Sequence, residues 1–224
     1  MSIASNLKKI KSELSDNVTL VAVSKTKPKE DILEAYLAGQ RIFGENKIQE
    51  MAEKQEQLPE DIEWHMIGHV QRNKVKYMAS FVSLIHGIDN FKLLKEINKQ
   101  AQKHNRVIDC LFQLKIAEED SKFGMSNDEV ISIINSNEFI ELKNINITGL
   151  MGMATFTDNN DQIKKEFDYL KSAFDGLSVQ KSFNFNLDII SMGMSGDFNL
   201  AIDCGSNMVR IGSSIFGTRN NNNI

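Results

Sequence analysis

Cysteine is nearly absent from this sequence, which contains only Cys110 and Cys204 and no CxxC spacing. Two distant cysteines do not make a disulfide framework, so they indicate a reduced, cytosolic setting. A basic excess is also missing, because 26 lysines and arginines stand against 30 acidic residues and the formal net charge is −4. This balance excludes the strongly basic surface that is typical of nucleic-acid-binding domains.

Long apolar runs are missing as well. No apolar stretch reaches the roughly 20 residues that a membrane-spanning helix needs, and residues 1–6 lack the apolar core of a secretory signal. Proline occurs at only two positions, and no proline-rich linker divides the chain. We therefore expect one domain over residues 1–219, followed by a disordered, asparagine-rich tail at residues 220–224.

Short apolar runs alternate with amphipathic segments along the chain. Helical periodicity predicts helices at residues 3–14, 29–38, 90–103, 127–135 and 161–173. The candidate strands are residues 19–24, 40–44, 63–68, 81–87, 107–116, 146–151, 187–192 and 208–211. Eight strands interleaved with helices predict an α/β fold, a single (β/α)8 TIM barrel with an extra amino-terminal helix. An open doubly wound sheet is the competing fold, and the absence of GxGxxG after the first strand disfavours it.

Lys25 lies where the first predicted strand ends, in the segment VAVSKTKP, whose Pro28 opens a predicted helix. A lysine at the carboxyl end of a buried strand is partly desolvated, and desolvation lowers the pKa of an ammonium group. The neutral amine is a nucleophile toward aldehydes. The alternative is a solvated lysine just past a strand, and position alone does not decide between the two.

Two turns rich in serine and glycine follow the seventh and eighth predicted strands. Ser191 and Ser195 bound the first turn, and Gly212 and Ser213 begin the second. Backbone N–H groups at a helix start, with hydroxyl groups beside them, suit a phosphate, and the loops after strands seven and eight of TIM barrels often bind one. Ordinary helix capping by serine is the alternative explanation. Two such turns at these two strands favour a phosphate site.

Arg210 lies inside the apolar run of the eighth predicted strand. A buried guanidinium is costly without a partner, so we expect it to meet a carboxylate or a ligand atom near the cavity. His65 and His69 have the i, i+4 spacing of a helical metal pair, but their segment is predicted to be a strand. A metal site is therefore not predicted.

Seven segments resemble the pyridoxal-phosphate homeostasis protein family, in the same order along nearly the whole chain. They are VAVSKTKP (21–28), FGENKIQ (43–49), WHMIGHVQRNK (64–74), KFGM (122–125), GLMGMA (149–154), LDIISMGMSGD (187–197) and GSNMVRIGSSIFG (205–217). The family often has a leucine where Ile190 stands and an acidic pair where Gly196 and Asp197 stand, and these departures leave the ligand positions intact. The resemblance implies a fold type III barrel, similar to the N-terminal domain of alanine racemase.

The resemblance also implies a cofactor, pyridoxal 5′-phosphate (PLP), held on Lys25 as an internal aldimine, which is a reversible Schiff base. Arg210 and Gly212 match the Arg-x-Gly motif of the related racemases, in which the arginine hydrogen-bonds the pyridine nitrogen. Asn46 is implied to lie near the ring or the aldimine.

For the phosphate, the resemblance implies a site made by the backbone and hydroxyl groups of the last two turns. Its residues are Gly212 and Ser213, together with either Ser191 or Ser195.

Racemisation of an amino acid requires acid–base groups on both faces of the cofactor. In alanine racemase the second group is a tyrosine from another domain, across a dimer interface. The present sequence ends just after its eighth predicted strand, and Tyr36, Tyr77 and Tyr169 all lie in helical segments away from the strand ends. A second catalytic group is therefore not expected.

The first hypothesis is a non-catalytic PLP-binding protein of vitamin B6 homeostasis that carries or buffers the cofactor. Its partners would be PLP and the apo forms of PLP-dependent enzymes that accept it, with neither nucleic acid nor membrane involved. The resemblance suggests a monomer. A weak amino-acid racemase or other PLP-dependent enzyme is the second hypothesis, and a PLP-responsive module that binds partner proteins is the third.

Overall fold

Eight parallel strands form a closed barrel, in which each strand pairs with its neighbours in sequence and the last strand pairs with the first. A computed structural model describes the protein over residues 2–119 and 123–218. The strands are β1 (Thr19–Val23), β2 (Ile42–Glu45), β3 (Glu63–Met66), β4 (Leu84–Ile88), β5 (Ile108–Gln113), β6 (Ile145–Met151), β7 (Phe185–Ser191) and β8 (Met208–Ile211). The predicted barrel is therefore confirmed, and the open doubly wound sheet is excluded. The tail predicted at residues 220–224 and Lys122 of the KFGM segment lie outside the described residues.

Helices follow most of the strands and pack on the outside of the barrel. They are α1 (Ile3–Glu13), α2 (Lys29–Leu37), α3 (Ile48–Gln55), α4 (Phe91–Lys103), α5 (Asn127–Ile134), α6 (Asn137–Ile140), α7 (Asn160–Ser178), α8 (Phe198–Asp203) and α9 (Ser213–Phe216). A 3-10 helix at Arg72–Tyr77 takes the place of an α-helix between β3 and β4. All five helices predicted from periodicity are present, whereas α3 and α6 were missed.

Local sequence signals fix where several helices begin and end. Asn90 caps α4, because its side chain accepts a hydrogen bond from the N–H of Leu93 at 2.8 Å. Ser126 and Glu129 form a capping box at the start of α5. Gly39 follows α2 with φ 90°, the left-handed conformation that glycine adopts without steric cost.

Side chains of each strand alternate between two apolar layers. Leu20 and Ala22 belong to the large core between barrel and helices, whereas Val21 belongs to a smaller buried cluster. The same alternation puts Met208 in the smaller cluster and its neighbour Val209 in the large core. The smaller cluster therefore fills the inside of the barrel with apolar side chains. Its members are Val21, Leu84, Leu111, Met151 and Met208.

Neither a membrane-spanning helix nor a metal-binding cluster is found in the described residues. Within residues 2–119 and 123–218, no helix has the length and apolar character needed to cross a bilayer. Across the same ranges, no group of three or more histidine, cysteine or acidic side chains is arranged to hold a metal ion. Cys110 and Cys204 are both buried free thiols.

Candidate cofactor site

A cavity of about 660 Å³ opens at the carboxyl ends of the strands, where TIM barrels keep their functional groups. Six of the seven residues predicted from the sequence line this cavity: Lys25, Asn46, Ser195, Arg210, Gly212 and Ser213. The seventh, Ser191, is fully buried at the end of β7 and is not among the described residues of the lining. The strands therefore bring together residues that are as much as 188 positions apart in sequence.

Lys25 is half-buried and lies in a tight turn directly after β1. The turn is closed by a hydrogen bond of 3.0 Å from the N–H of Lys27 to the carbonyl of Ser24. Its third residue, Thr26, has φ 63°, which is the backbone conformation that a type II turn usually gives to glycine. A β-branched residue there is strained, so other contacts must hold the turn.

A buried ionic network lies beneath this turn, and the sequence did not reveal it. Lys54 of α3 donates from Nζ to Oε1 of Glu45 and to Oε1 of Glu50, both at 2.7 Å. Glu45 is fully buried at the end of β2, and the hydroxyl of Ser24 donates to its Oε1 at 2.6 Å. Burial raises the pKa of the Glu45 carboxyl, although the Lys54 ammonium and these hydrogen bonds oppose the shift. The motif FGENKIQ carried part of the signal, because it contains Glu45, but α3 and its Lys54 were not predicted.

Asn46 follows β2 and faces the cavity. Its Oδ1 atom is buried, and within the described part of the chain it has no hydrogen-bond partner. The backbone of Gly68, after β3, packs directly on Asn46, since a Cβ atom at Gly68 would lie only 2.6 Å from the Asn46 carbonyl oxygen. The carboxamide is thus held in place with acceptor capacity left for a ligand.

Arg210 crosses the inside of the barrel at the top of the apolar cluster. It is 4% exposed, and its Nη1 donates to the carbonyl and hydroxyl of Ser191 at 2.8 and 2.6 Å. Its Nη2 donates to the carbonyl of Gly152 at 3.0 Å. Desolvation lowers the pKa of the guanidinium to about 10, with Asp197 opposing the shift, so Arg210 is charged at neutral pH. Among the described residues its hydrogen-bond acceptors are a hydroxyl and two carbonyls rather than a carboxylate.

Two buried histidines extend this contact across the barrel. His86 Nδ1 lies 3.1 Å from Ser191 Oγ, and His86 Nε2 lies 3.1 Å from His65 Nδ1. Desolvation lowers the pKa of His65 to about 3 and the pKa of His86 well below its ordinary value. Both rings are therefore neutral at physiological pH, and Arg210 is backed by a chain of uncharged groups. His69 lies apart from this chain, with its Nδ1 2.9 Å from Asp89 Oδ2.

The turns after β7 and β8 meet at the rim of the same cavity. The N–H of Gly212 donates to Ser195 Oγ at 3.2 Å, which joins the two turns directly. Gly212 also packs closely on β1, since a Cβ atom there would lie 3.2 Å from the Val23 carbonyl oxygen. Ser195 is half-buried and Ser213 is exposed at the start of α9. Ser195, Gly212 and Ser213 thus line the cavity together, at the ends of the two strands where the sequence predicted a phosphate site.

Lys27 connects the turn that carries Lys25 to the end of α9. The sequence analysis did not identify this residue. Its Nζ donates to the carbonyls of Phe216 and Gly217, at 2.8 and 3.3 Å, at the end of α9. Lysine at a helix carboxyl end satisfies carbonyl groups that lack partners within the helix. The Lys25 turn is thereby tied to the short helix that begins at Ser213.

Comparisons with known proteins identify the family of this chain. The family model "Alanine racemase, N-terminal domain" matches residues 1–220. The chain is 39% identical over 201 residues to the pyridoxal phosphate homeostasis protein of Aquifex aeolicus, which covers 89% of this chain and 86% of that protein. It is 36% identical over 208 residues to the protein of the same name from Schizosaccharomyces pombe, covering 91% of this chain and 85% of the relative.

Solved structures of related proteins have the same fold as this chain. PipY of Synechococcus elongatus, in a structure with PLP bound, superimposes with a TM-score of 0.87 at 31% identity, covering 96% of this chain and all of PipY. An alanine racemase of Clostridium difficile superimposes with a TM-score of 0.76 at 15% identity, covering 99% of this chain and 57% of the racemase. The second likeness concerns the fold alone.

Proposed function

This chain belongs to the alanine racemase N-terminal domain family and, within it, to the pyridoxal phosphate homeostasis proteins, and on this premise we propose that it binds PLP in intracellular vitamin B6 homeostasis. The observation that carries the proposal is that one cavity is lined by a half-buried lysine, a buried arginine and a hydroxyl-rich turn. PLP presents an aldehyde, a pyridine nitrogen and a phosphate, which are complementary to these three groups. The structure of PipY with PLP bound supports the same ligand.

The residues present fit the cofactor at each of its functional groups. Lys25 would hold the cofactor through a Schiff base with the aldehyde carbon, in which the amine would replace the aldehyde oxygen with release of water. Asn46, whose buried Oδ1 has no partner among the described residues, hydrogen-bonds the polar edge of the ring. The phosphate is held by Ser195, Gly212 and Ser213 rather than by Ser191, because the Ser191 hydroxyl already contacts Arg210 and His86.

Arg210 sets the electronic state of the ring. A guanidinium only donates hydrogen bonds, so a pyridine nitrogen held by Arg210 would accept the bond and stay unprotonated. PLP supplies an electron sink when it is bound, and an unprotonated ring nitrogen weakens that sink. Arg210 thus favours holding the cofactor over using it for catalysis.

We propose that the protein does not catalyse racemisation. A racemase needs a second acid–base group facing the lysine, and the tyrosine that serves in alanine racemase has no counterpart in the cavity lining. All three tyrosines belong to the described residues, and Tyr36, Tyr77 and Tyr169 lie in α2, the 3-10 helix and α7. Turnover of any amino acid in a racemase panel, abolished by Lys25→Ala, would refute this part of the proposal.

The absorption spectrum of purified protein with PLP tests the assignment. We expect a Schiff-base band near the visible range in the wild type and in Lys29→Ala, a control at an exposed lysine four residues away. Lys25→Ala should lack the band while keeping its far-ultraviolet circular dichroism. A wild type without the band, or a Lys25→Ala variant that retains it, would overturn the cofactor assignment.

We propose further that the protein is a cytosolic monomer that passes PLP to apo forms of PLP-dependent enzymes. Two buried free thiols support a reducing compartment. Transfer to an apo-enzyme in the same solution should exceed transfer across a dialysis membrane if the two proteins meet. Equal rates would refute direct transfer and would indicate that the protein only buffers PLP by releasing it into solution. Size-exclusion chromatography with light scattering tests the monomer separately, because it would reveal any oligomer.

A further inference from the structure

We propose that Glu50 and Lys54 are positioning residues that fix the direction in which Lys25 enters the cavity. Neither side chain lines the described cavity, and both belong to α3, which packs behind the Lys25 turn. The proposal rests on the proposed role of Lys25, and it assigns a use to the buried ionic network that the proposed function leaves unexplained.

The two peptide groups that flank Lys25 are each held by one charged side chain of α3. On the amino-terminal side, the carbonyl of Ser24 accepts from Lys54 Nζ at 2.9 Å. On the carboxyl-terminal side, the N–H of Thr26 donates to Glu50 Oε1 at 2.6 Å. Fixing both peptide planes fixes φ and ψ of Lys25, and therefore fixes the direction of its Cα–Cβ bond.

The turn needs this support because its own backbone is strained. Thr26 has φ 63°, and a β-branched residue in the left-handed region persists only where its surroundings hold it there. The hydrogen bond between Lys27 N–H and Ser24 carbonyl closes the turn, but it does not involve the N–H of Thr26. The charge-assisted bond to Glu50 supplies the missing constraint at that peptide group.

The ionic network of Glu45, Lys54 and Glu50 is fixed at one end in the barrel and contacts the Lys25 turn at the other. Lys54 Nζ is 2.7 Å from both Glu45 Oε1 and Glu50 Oε1, and its side chain is 10% exposed. Glu45 is fully buried, so one end of the network is fixed within the barrel wall. The other end, Glu50, is 22% exposed and reaches the turn. Charged groups held at short distances on a strand and a helix resist displacement more than a loop contact does.

The test compares Glu50→Ala with Glu53→Ala, a matched change at an exposed glutamate of the same helix. Hydrogen exchange of the Thr26 amide is measured by NMR without any PLP. We expect about tenfold or faster exchange in Glu50→Ala, since a charge-assisted hydrogen bond is lost, and no change in Glu53→Ala. Unchanged Thr26 exchange in Glu50→Ala would overturn the proposal.

Reactivity of Lys25 is measured in the same proteins with two probes. With PLP and with acetaldehyde plus cyanoborohydride, modification of Lys25 relative to exposed Lys29 should fall about tenfold in Glu50→Ala. Glu50→Gln keeps the Oε1 acceptor and should restore most of the reactivity. Faster Thr26 exchange with unchanged Lys25 reactivity would reduce the network to a purely structural role and refute the inference.

The two probes separate this inference from the proposed function. A wild type that forms no PLP adduct on Lys25 would refute the proposed function. The acetaldehyde ratio would still decide whether Glu50 positions Lys25, because this small aldehyde needs no phosphate site.

Discussion

Lys25 and Arg210, two of the basic residues that line the cavity, are supported in opposite ways. The turn that carries Lys25 is held by ionised groups, with Lys54 between Glu45 and Glu50. Arg210 is held by uncharged groups, namely the hydroxyl and carbonyl of Ser191 and the carbonyl of Gly152. A carboxylate beside Arg210 would neutralise its charge within the protein, whereas neutral acceptors leave that charge available to a ligand. Around Lys25, the charges act on the backbone of the turn, at the Ser24 carbonyl and the Thr26 N–H.

The difference between the two supports predicts different weaknesses. Removing one partner of a buried ionic network strongly destabilises the folded protein, because the remaining charges stay buried without compensation. A chain of neutral histidines is instead sensitive to acid, because buried rings resist protonation that the unfolded chain accepts. Four substitutions compare the two sides, and the stability of all four variants is measured by denaturation.

The largest expected effect is at Lys54. Lys54→Met leaves the buried Glu45 and the partly buried Glu50 without their cation, so the free energy of unfolding should fall by about 3–5 kcal/mol. Urea denaturation measures the loss, and Lys47→Met, at the exposed lysine just before α3, is the control. A loss below about 1 kcal/mol would contradict a network of buried charges.

Arg210→Met should cost less than Lys54→Met, although Arg210 is also buried. Removing the guanidinium strands no opposite charge among its hydrogen-bond partners, and it leaves only the acceptors of Ser191 and Gly152 unsatisfied. Denaturation should show a loss of about 1–3 kcal/mol. If the loss equals that of Lys54→Met, the distinction between charged and neutral support is wrong.

The pH dependence of stability should come mainly from the histidine side. The pKa of His65 falls to about 3 in the folded protein, and that of His86 is also lowered, from an ordinary value of 6.5. The unfolded chain therefore binds protons first as the pH falls below 6.5, and stability is lost by roughly 1.4 kcal/mol per pH unit for each histidine. The raised pKa of Glu45 acts in the other direction, adding stability as the pH falls toward 4.5.

His86→Gln tests this dependence. Denaturation midpoints at pH 7.5 and pH 5 should differ less in the variant than in the wild type, because one titrating ring is gone. His104→Gln, at an exposed histidine that caps α4, should keep the wild-type difference. An unchanged pH dependence in His86→Gln would show that the buried histidines do not set acid sensitivity.

The smallest effect is expected at Thr26. Glycine adopts φ 63° without the Cβ clash that strains threonine, but it also gains more freedom in the unfolded chain. Thr26→Gly should therefore raise the free energy of unfolding by no more than about 1 kcal/mol. Destabilisation would indicate that the threonine side chain, rather than the backbone contact with Glu50, holds the turn.

The sequence predicted the parts of the fold that depend on local pattern. Apolar runs and helical periodicity were enough to place all eight strands, although β4 begins at Leu84 rather than at residue 81. The helix α3 escaped prediction because its buried face includes Lys54, and a charged residue breaks the apolar periodicity.

For the site, positions at strand ends could be predicted, whereas side-chain pairing could not. Lys25 was identified because it follows a strand, Arg210 because it lies inside an apolar strand, and Asn46 through the family resemblance. Barrel topology then brings the strand ends together. The bond between His86 and Ser191 joins residues 105 positions apart, and its geometry depends on the stagger of the strands. The contacts of Ser191 depend on the same stagger. For this reason the sequence could not distinguish Ser191 from Ser195 as a candidate phosphate ligand.

The central claim is that Lys25 holds PLP covalently, and borohydride reduction followed by peptide mass spectrometry tests it most directly. Reduction converts a Schiff base into a stable secondary amine, so the modified lysine is identified by its peptide. We predict one pyridoxyl-phosphate group on Lys25 in the wild type and none on this peptide in Lys25→Ala. An unmodified Lys25, or modification spread evenly over exposed lysines, would contradict the account.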